Sequence, residues 1–133
     1  MEEVSINYLA VIVSAISAFV VGSIWYAPFL FGKAWQAETG LTDEDLKKGM
    51  GKTFGGSFVL TVIISYGMAM FFGGEVDLQM GLMYVFMTGA FFVAASLGII
   101  YLYDKKSLRI WLINAGYQVL IYTIIGGILG AWK

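Results

Sequence analysis

The stretch that decides the fold is residues 78–103, LQMGLMYVFMTGAFFVAASLGIIYLY, which contains no Asp, Glu, Lys or Arg. Three further stretches are equally free of these charges: residues 4–32, 53–74 and 110–132. A bilayer core about 30 Å thick is crossed by about 20 apolar residues in a helix. Each stretch reaches that length, so the sequence predicts four transmembrane helices in a chain of 133 residues.

The composition agrees with an integral membrane protein. The chain is 59% hydrophobic and 13% charged, whereas soluble domains average about 25% charged residues. A net charge of −1 gives no reason to expect a nucleic-acid partner. The chain begins Met1-Glu2-Glu3, which lacks the positive start of a cleavable signal peptide, so we expect the first span to be retained.

The predicted fold is all-α, with one transmembrane domain over residues 1–133. The helices are expected at about 6–26, 54–72, 78–103 and 110–132. The first should end before Pro28, because proline disfavours helical geometry at the residue before it. Short connections at 73–77 and 104–108 favour antiparallel neighbours, and therefore an up-down bundle.

The first loop is expected to contain a short amphipathic helix at about residues 43–50. Thr42 can be its N-cap, and Asp45 completes a variant of the capping box. This helix is either a solvated loop element or a docking site for a partner. Glycines at 49, 51, 55 and 56 predict a hinge before the second span, although a continuous helix into the membrane is the alternative.

Small residues recur every four positions in the predicted spans, so they share helix faces. Lipid provides no hydrophobic drive for helix association, and small faces let two helices approach closely. We expect these faces to be packing seams or interfaces with another subunit. Their main members are Ala10, Ala18, Gly22, Gly98, Gly126 and Gly130.

The last span also carries a polar stripe of Asn114, Gln118 and Tyr122. An unpaired amide in hydrocarbon costs roughly 4–8 kcal/mol by the alkane reference. We therefore expect the two carboxamides to face serines of other helices, or a wet cavity. The candidate polar stripe, a clamp inside the bundle or a polar path, comprises Asn114, Gln118, Tyr122, Ser65 and Ser14, with Ser17 and Tyr66 as further partners.

The sequence contains no histidine and no cysteine. Haem, zinc and thiol chemistry ordinarily need one of these residues, so we expect no cofactor, no metal and no enzymatic activity. Aromatic and cationic residues near the span ends are typical interfacial anchors. These candidates are Trp25, Tyr26, Trp35, Arg109 and Trp132.

Five short stretches together resemble the bacterial membrane proteins grouped as domain of unknown function 1761. They are Ile6 to Ala10; Gly22 with Trp25-Tyr26 and Pro28; Phe31 to Trp35; Leu41 to Leu46; and Leu112 to Tyr117. The resemblance spans nearly the whole chain and implies four transmembrane helices without an assigned activity. Members of that family often carry histidine after the tyrosine, where this chain has Gln118.

Two functional hypotheses follow. The first is a structural or accessory membrane protein that acts through helix packing, as a homo-oligomer or with another membrane protein in the bacterial inner membrane. The second is a small channel or transporter whose path uses Asn114, Gln118 and Tyr122. The substrate of such a path is not indicated by any motif.

The distribution of cations predicts the orientation. Lys33, Lys47, Lys48 and Lys52 lie in the first predicted loop, and Lys105, Lys106 and Arg109 in the third; only Lys133 lies elsewhere. Cytoplasmic loops are enriched in Lys and Arg, so these loops should be cytoplasmic and both termini extracytoplasmic. An impermeant thiol reagent added to intact cells should label Glu75→Cys and not Lys47→Cys. The reverse labelling pattern would overturn this orientation.

Overall fold

The computed structural model describes residues 6–72 and 77–132, in which every regular element is helical. The predicted turn at 73–77 lies outside these residues except for Asp77, as do residues 1–5 and Lys133. The α-helices and one π-helical segment run in this order: α1 Tyr8–Trp25, α2 Gly32–Thr39, α3 Asp43–Lys47, α4 Met50–Phe72, α5 Leu78–Met87, the π segment Thr88–Ala94, α6 Ala95–Tyr103 and α7 Leu108–Ala131.

Within the described residues four helices are long and apolar enough to cross a membrane, as the sequence predicts, so the protein is a multi-pass membrane protein. They are α1, α4, the third span (α5, the π segment and α6 together, Leu78–Tyr103) and α7. Three of them begin at a side-chain cap: Asn7 for α1, Asp77 for α5 and Ser107 for α7. These caps satisfy backbone N–H groups that would otherwise lack a partner at the start of each helix.

The first loop contains two helices, of which the sequence predicted one. The capping box of α3 is confirmed, because Thr42 and Asp45 exchange bonds of 3.0 and 3.1 Å. The bond that the Thr42 backbone N–H donates to the Asp45 carboxylate is the main cause that lowers the pKa of this carboxyl. The helix ends at Lys47 rather than residue 50, and Gly49, with φ of 63°, separates it from α4. The later glycines lie inside α4, so the predicted hinge reduces to Gly49.

Helix α7 is the central element and packs on α1, α4 and the third span. It runs antiparallel to the third span, since Gly130 lies beside Leu78 while Gly98 lies beside Trp111. Helices α1 and α4 are also antiparallel: Phe19 contacts Phe58 at one end, and Tyr8 contacts Tyr66 at the other. These contacts form an up-down arrangement in which α7 lies between α1 and the third span.

The π segment keeps one face of the third span against α7. The residues on this face are Gly81, Val85, Gly89, Ala94 and Gly98, at spacings of four, four, five and four. Seventeen residues of regular α-helix make about 4.7 turns, so Gly81 and Gly98 would point in different directions. A π-helix has more residues per turn than an α-helix, so the π segment accommodates the spacing of five between Gly89 and Ala94 and keeps Gly98 on the same face. The sequence prediction of one uniform helix over 78–103 missed this segment, because its residues resemble those of any apolar α-helix.

The small residues predicted to form packing seams pack against other helices of the same chain. A Cβ on Gly126 would overlap the side chain of Val85, and one on Gly130 would lie 3.1 Å from the Leu78 Cα. Ala10 and Ala18 are fully buried. These positions therefore fit the packing-seam alternative, because neighbouring spans of the same chain already cover them.

We predict that Gly126→Ala destabilises the protein by about 1–3 kcal/mol, as is typical of overpacking. Val85 is β-branched and stiff, so it cannot turn away from the added methyl group. The measurement is thermal or denaturant unfolding of the purified protein in mild detergent. Adding Val85→Ala should restore part of the lost stability.

The matched control is Gly127→Ala, whose Cβ would meet only the flexible end of Leu82, at 3.2 Å. This change should have little effect or stabilise the helix, since alanine has the higher helix propensity. Equal destabilisation by the two substitutions would contradict the proposed role of the Gly126–Val85 contact.

Candidate functional site

A hydrogen-bonded chain of two phenols and one amide joins three helices near one end of the bundle. The Tyr26 hydroxyl donates to Asn114 Oδ1 at 2.7 Å, and Asn114 Nδ2 donates to the Tyr101 hydroxyl at 2.9 Å. Tyr26 follows α1, Tyr101 is in α6 and Asn114 is in α7. We call these three residues the phenol–amide network. It satisfies both ends of the Asn114 carboxamide, which is half-buried among the spans.

Tyr26 reaches Asn114 because the chain turns sharply after α1. Phe31 N–H donates to the Trp25 carbonyl at 3.1 Å, and Gly32 N–H to the Ala27 carbonyl at 2.9 Å. A Cβ on Gly32 would overlap the Tyr26 carbonyl oxygen, so this turn requires glycine at position 32. The turn then leads directly into α2, a helix that the sequence analysis did not predict.

Two indoles flank the network and donate to backbone carbonyls. Trp25 Nε1 bonds the Ile113 carbonyl at 2.9 Å, and its ring lies over Gly116, where a Cβ would be 3.2 Å away. Trp111 Nε1 bonds the carbonyl of Ala94, the last residue of the π segment, at 2.8 Å. A buried indole needs an acceptor for its N–H. Each indole therefore fixes α7 to a neighbouring part of the chain.

A third tyrosine packs beside the network. Tyr117 makes an edge-to-face contact with Tyr26, with ring centroids 5.1 Å apart. Its hydroxyl lies against Gly22, where a Cβ would be only 2.6 Å away. Trp35 of α2 also makes an edge-to-face contact with Tyr26, with ring centroids 5.8 Å apart. Geometries of this kind contribute about 0.5–1.5 kcal/mol per aromatic pair.

The first and third loops meet at this same end. Ser107, the N-cap of α7, donates from its hydroxyl to Glu38 of α2. Arg109 Nη1 lies 3.7 Å from the other Glu38 oxygen. The Arg109 side chain is 62% exposed, so the ion pair contributes little stability. The ion pair instead helps to fix the loops in position, because it joins the first and third loops, which carry most of the cations.

The predicted polar stripe does not form one site. Asn114 is bonded to tyrosines rather than to the expected serines. Ser14 donates to the Ala10 carbonyl of its own helix at 2.6 Å. Ser65 Oγ is buried without a hydrogen-bond partner among the described residues. Gln118 is half-buried and likewise has no side-chain hydrogen bond within residues 6–72 and 77–132, while Tyr122 lines an apolar groove.

The predicted anchors divide into two groups. Trp25, Tyr26 and Trp35 make contacts inside the protein, as described above. Arg109 and Trp132 remain at the surface, with Trp132 39% exposed. Residues that the sequence analysis did not single out are Tyr101, Tyr117, Trp111 and Glu38. Of these, Tyr117 could have been singled out, since it lies in the same short stretch as Asn114, Leu112 to Tyr117.

The side chains of this cluster are suited to fixing the positions of helices. Phenol and carboxamide groups are both neutral near pH 7, since an ordinary tyrosine titrates near pH 10. Within the described residues no group of three acidic, histidine or cysteine side chains could hold a metal ion. A neutral, mutually satisfied set of hydrogen bonds fixes α1, α6 and α7 relative to one another.

We predict that Tyr101→Phe and Asn114→Ala are energetically coupled, because each removes the same hydrogen bond. Membrane hydrogen bonds average about 0.6 kcal/mol in double-mutant cycles, with a maximum near 1.7. The cycle is measured by unfolding in mild detergent. Tyr103→Phe is the matched control, since Tyr103 lies on the same helix and is 83% exposed. Zero coupling between Tyr101 and Asn114 would contradict the network.

Comparison with known proteins gives a family without an assigned activity. No curated protein and no solved structure matches the chain. One family model, described as a protein of unknown function (DUF1761), matches residues 9–130. That range includes Trp25, Tyr26, Gly32, Tyr101 and Asn114, the residues that build the phenol–amide network and its turn. The match covers nearly the whole chain, and the protein therefore belongs to the DUF1761 family.

Proposed function

We propose that this protein is a non-enzymatic structural or accessory subunit of a membrane assembly, acting as a homo-oligomer or with another membrane protein. One observation carries the proposal. Both polar ends of the Asn114 carboxamide are satisfied by tyrosines of the same chain. A residue that lines a transport path has to exchange its partners for substrate or water, whereas a satisfied network favours a fixed geometry.

The surface for a partner has to lie away from the internal seams. Gly126, Gly130, Ala10 and Ala18 are buried, so they cannot serve it. Helix α4 offers the alternative, because Cβ atoms on Gly55 and Gly56 would meet nothing within 4 Å. Open glycines on a membrane helix permit the close approach of another helix. The exposed helix α3, which precedes α4 along the chain, carries charged side chains that could contact the same partner.

A second candidate function is a small channel or transporter. The observation that favours it is Gln118, whose carboxamide has no hydrogen-bond partner in the described part of the chain. Such a group would be satisfied by water or by a polar solute. Gln118 and Tyr122 lie one turn apart on α7, so they would define the path.

Cross-linking in native membranes tests whether the α4 surface binds a partner. A photoreactive residue in place of Gly56 should give one discrete adduct in native membranes, either of two copies or with one other membrane protein. The matched control is the same probe in place of Ile99, an exposed residue of the third span that is 58% accessible. Equal adduct formation at both positions, or none at Gly56, would contradict the proposed α4 surface.

A flux measurement distinguishes the accessory function from the channel or transporter function. Proteoliposomes that contain the unmutated protein should show no more ion or solute flux than empty vesicles. If flux is present, the double change Asn114→Leu with Gln118→Leu becomes the decisive variant. If that variant loses flux while its thermal stability is unchanged, the result would support the channel or transporter function and reject the accessory function.

A further inference from the structure

An apolar groove separates α4 from the third span. The two helices touch at the end where they are joined, since a Cβ on Gly81 would lie 3.2 Å from the Phe72 ring. Further along they diverge, and the space between them has a volume of about 640 Å³. Gly67 opens one wall, because a Cβ there would meet nothing within 4 Å. Tyr122 of α7 contributes to the lining between the two helices.

We propose that this groove holds a single acyl chain of a membrane phospholipid, from the leaflet at the end where α4 and the third span are joined. The proposal concerns a bound lipid and is independent of the accessory function. The described lining contains no charged side chain. The occupant therefore has to be apolar, because nothing there would balance a charge at membrane depth.

The length of the groove points to one leaflet. Its lining runs from Ile64 to Phe72 on α4 and from Tyr84 to Phe92 on the third span. Each stretch covers eight steps, or about 12 Å at 1.5 Å per residue. Half of a bilayer core is about 15 Å thick. The groove thus matches the depth of one layer of acyl chains and falls well short of the full membrane.

The volume argues against a transmembrane helix as the occupant. An α-helix with side chains is about 10–12 Å wide, so one turn fills roughly 400–600 Å³. The groove would accommodate little more than one such turn, whereas a spanning helix has about 20 residues. A partner helix would leave most of its length outside, while a flexible acyl chain can follow the groove along its depth.

The bound chain would replace packing that the protein lacks. Side chains that line a void lose dispersion contacts on that side. A lipid in the groove restores those contacts between α4 and the third span. Removing the lipid should therefore loosen this pair of helices, whereas the contacts of α7 with α1 are unaffected.

Photo-labelling with a defined lipid tests the proposal. The unmutated protein is reconstituted in phosphatidylcholine vesicles with a trace of phosphatidylcholine that carries a diazirine along one acyl chain, and adducts are mapped by mass spectrometry. We expect several-fold more adducts on Gly67, Met68 and Thr88 than on Val59 and Leu60, which are exposed on α4 outside the groove. Uniform labelling along α4 would overturn the proposal.

A matched pair of variants tests whether the groove itself is responsible. Gly67→Phe should fill the space and lower groove labelling several-fold, while Gly55→Phe should leave it unchanged. Both glycines lie in α4 and both have open space at the Cβ position. Should Gly67→Phe fail to fold, Gly67→Leu serves, and the labelling map of the unmutated protein remains decisive. Groove labelling that persists in the folded variant would also overturn it.

Discussion

The close approach of α7 to the third span is the contact on which the rest of the structure depends. In lipid, burying apolar side chains gives no advantage over leaving them in the bilayer, so helices associate through packing and hydrogen bonds. Gly126 and Gly130 bring the α7 backbone against Val85 and Leu78. The π segment extends this contact to Gly98 by changing the spacing of the facing residues. With α7 so placed, α1 packs on another of its faces, and Tyr26 and Tyr101 meet at Asn114 from two sides.

Polar groups at this end of the bundle serve the same purpose as the small residues. The bonds of Trp25, Trp111, Tyr26 and Tyr101 all end on α7 or on its neighbour in the third span. An unpaired polar group at membrane depth is costly, so each of these bonds restricts how the helices can be arranged. The turn at Gly32 and the link from Glu38 to Ser107 then hold the first loop over this cluster.

The sequence predicted the features that depend on local composition. Charge-free length identified the four spans, Pro28 marked the end of α1, and Thr42 with Asp45 identified the cap of α3. It did not predict which helix each face would contact. Periodicity shows that Asn114 and Gln118 share a face, but it does not show that Tyr26 and Tyr101 bond only Asn114. The π segment was missed because its residues resemble those of any apolar α-helix. The groove was missed because the short connection predicted that α4 and the third span are antiparallel neighbours, whereas they come close near Phe72 and Gly81 and leave a space beyond that point.

We propose that the polar face of α7 is closed to bulk water inside the protein, with Asn114 held by Tyr26 and Tyr101. Because the chain contains no cysteine, single cysteines can be placed along α7 and tested in native membranes with a small, membrane-impermeant thiol reagent from each side. We expect cysteines in place of Gln118, Ile121, Tyr122 and Ile125 to react no faster than one in place of the exposed Ile99. Fast reaction at positions 118 and 122, with positions 121 and 125 protected, would reveal a water-filled path along that face and overturn the proposal that it is closed.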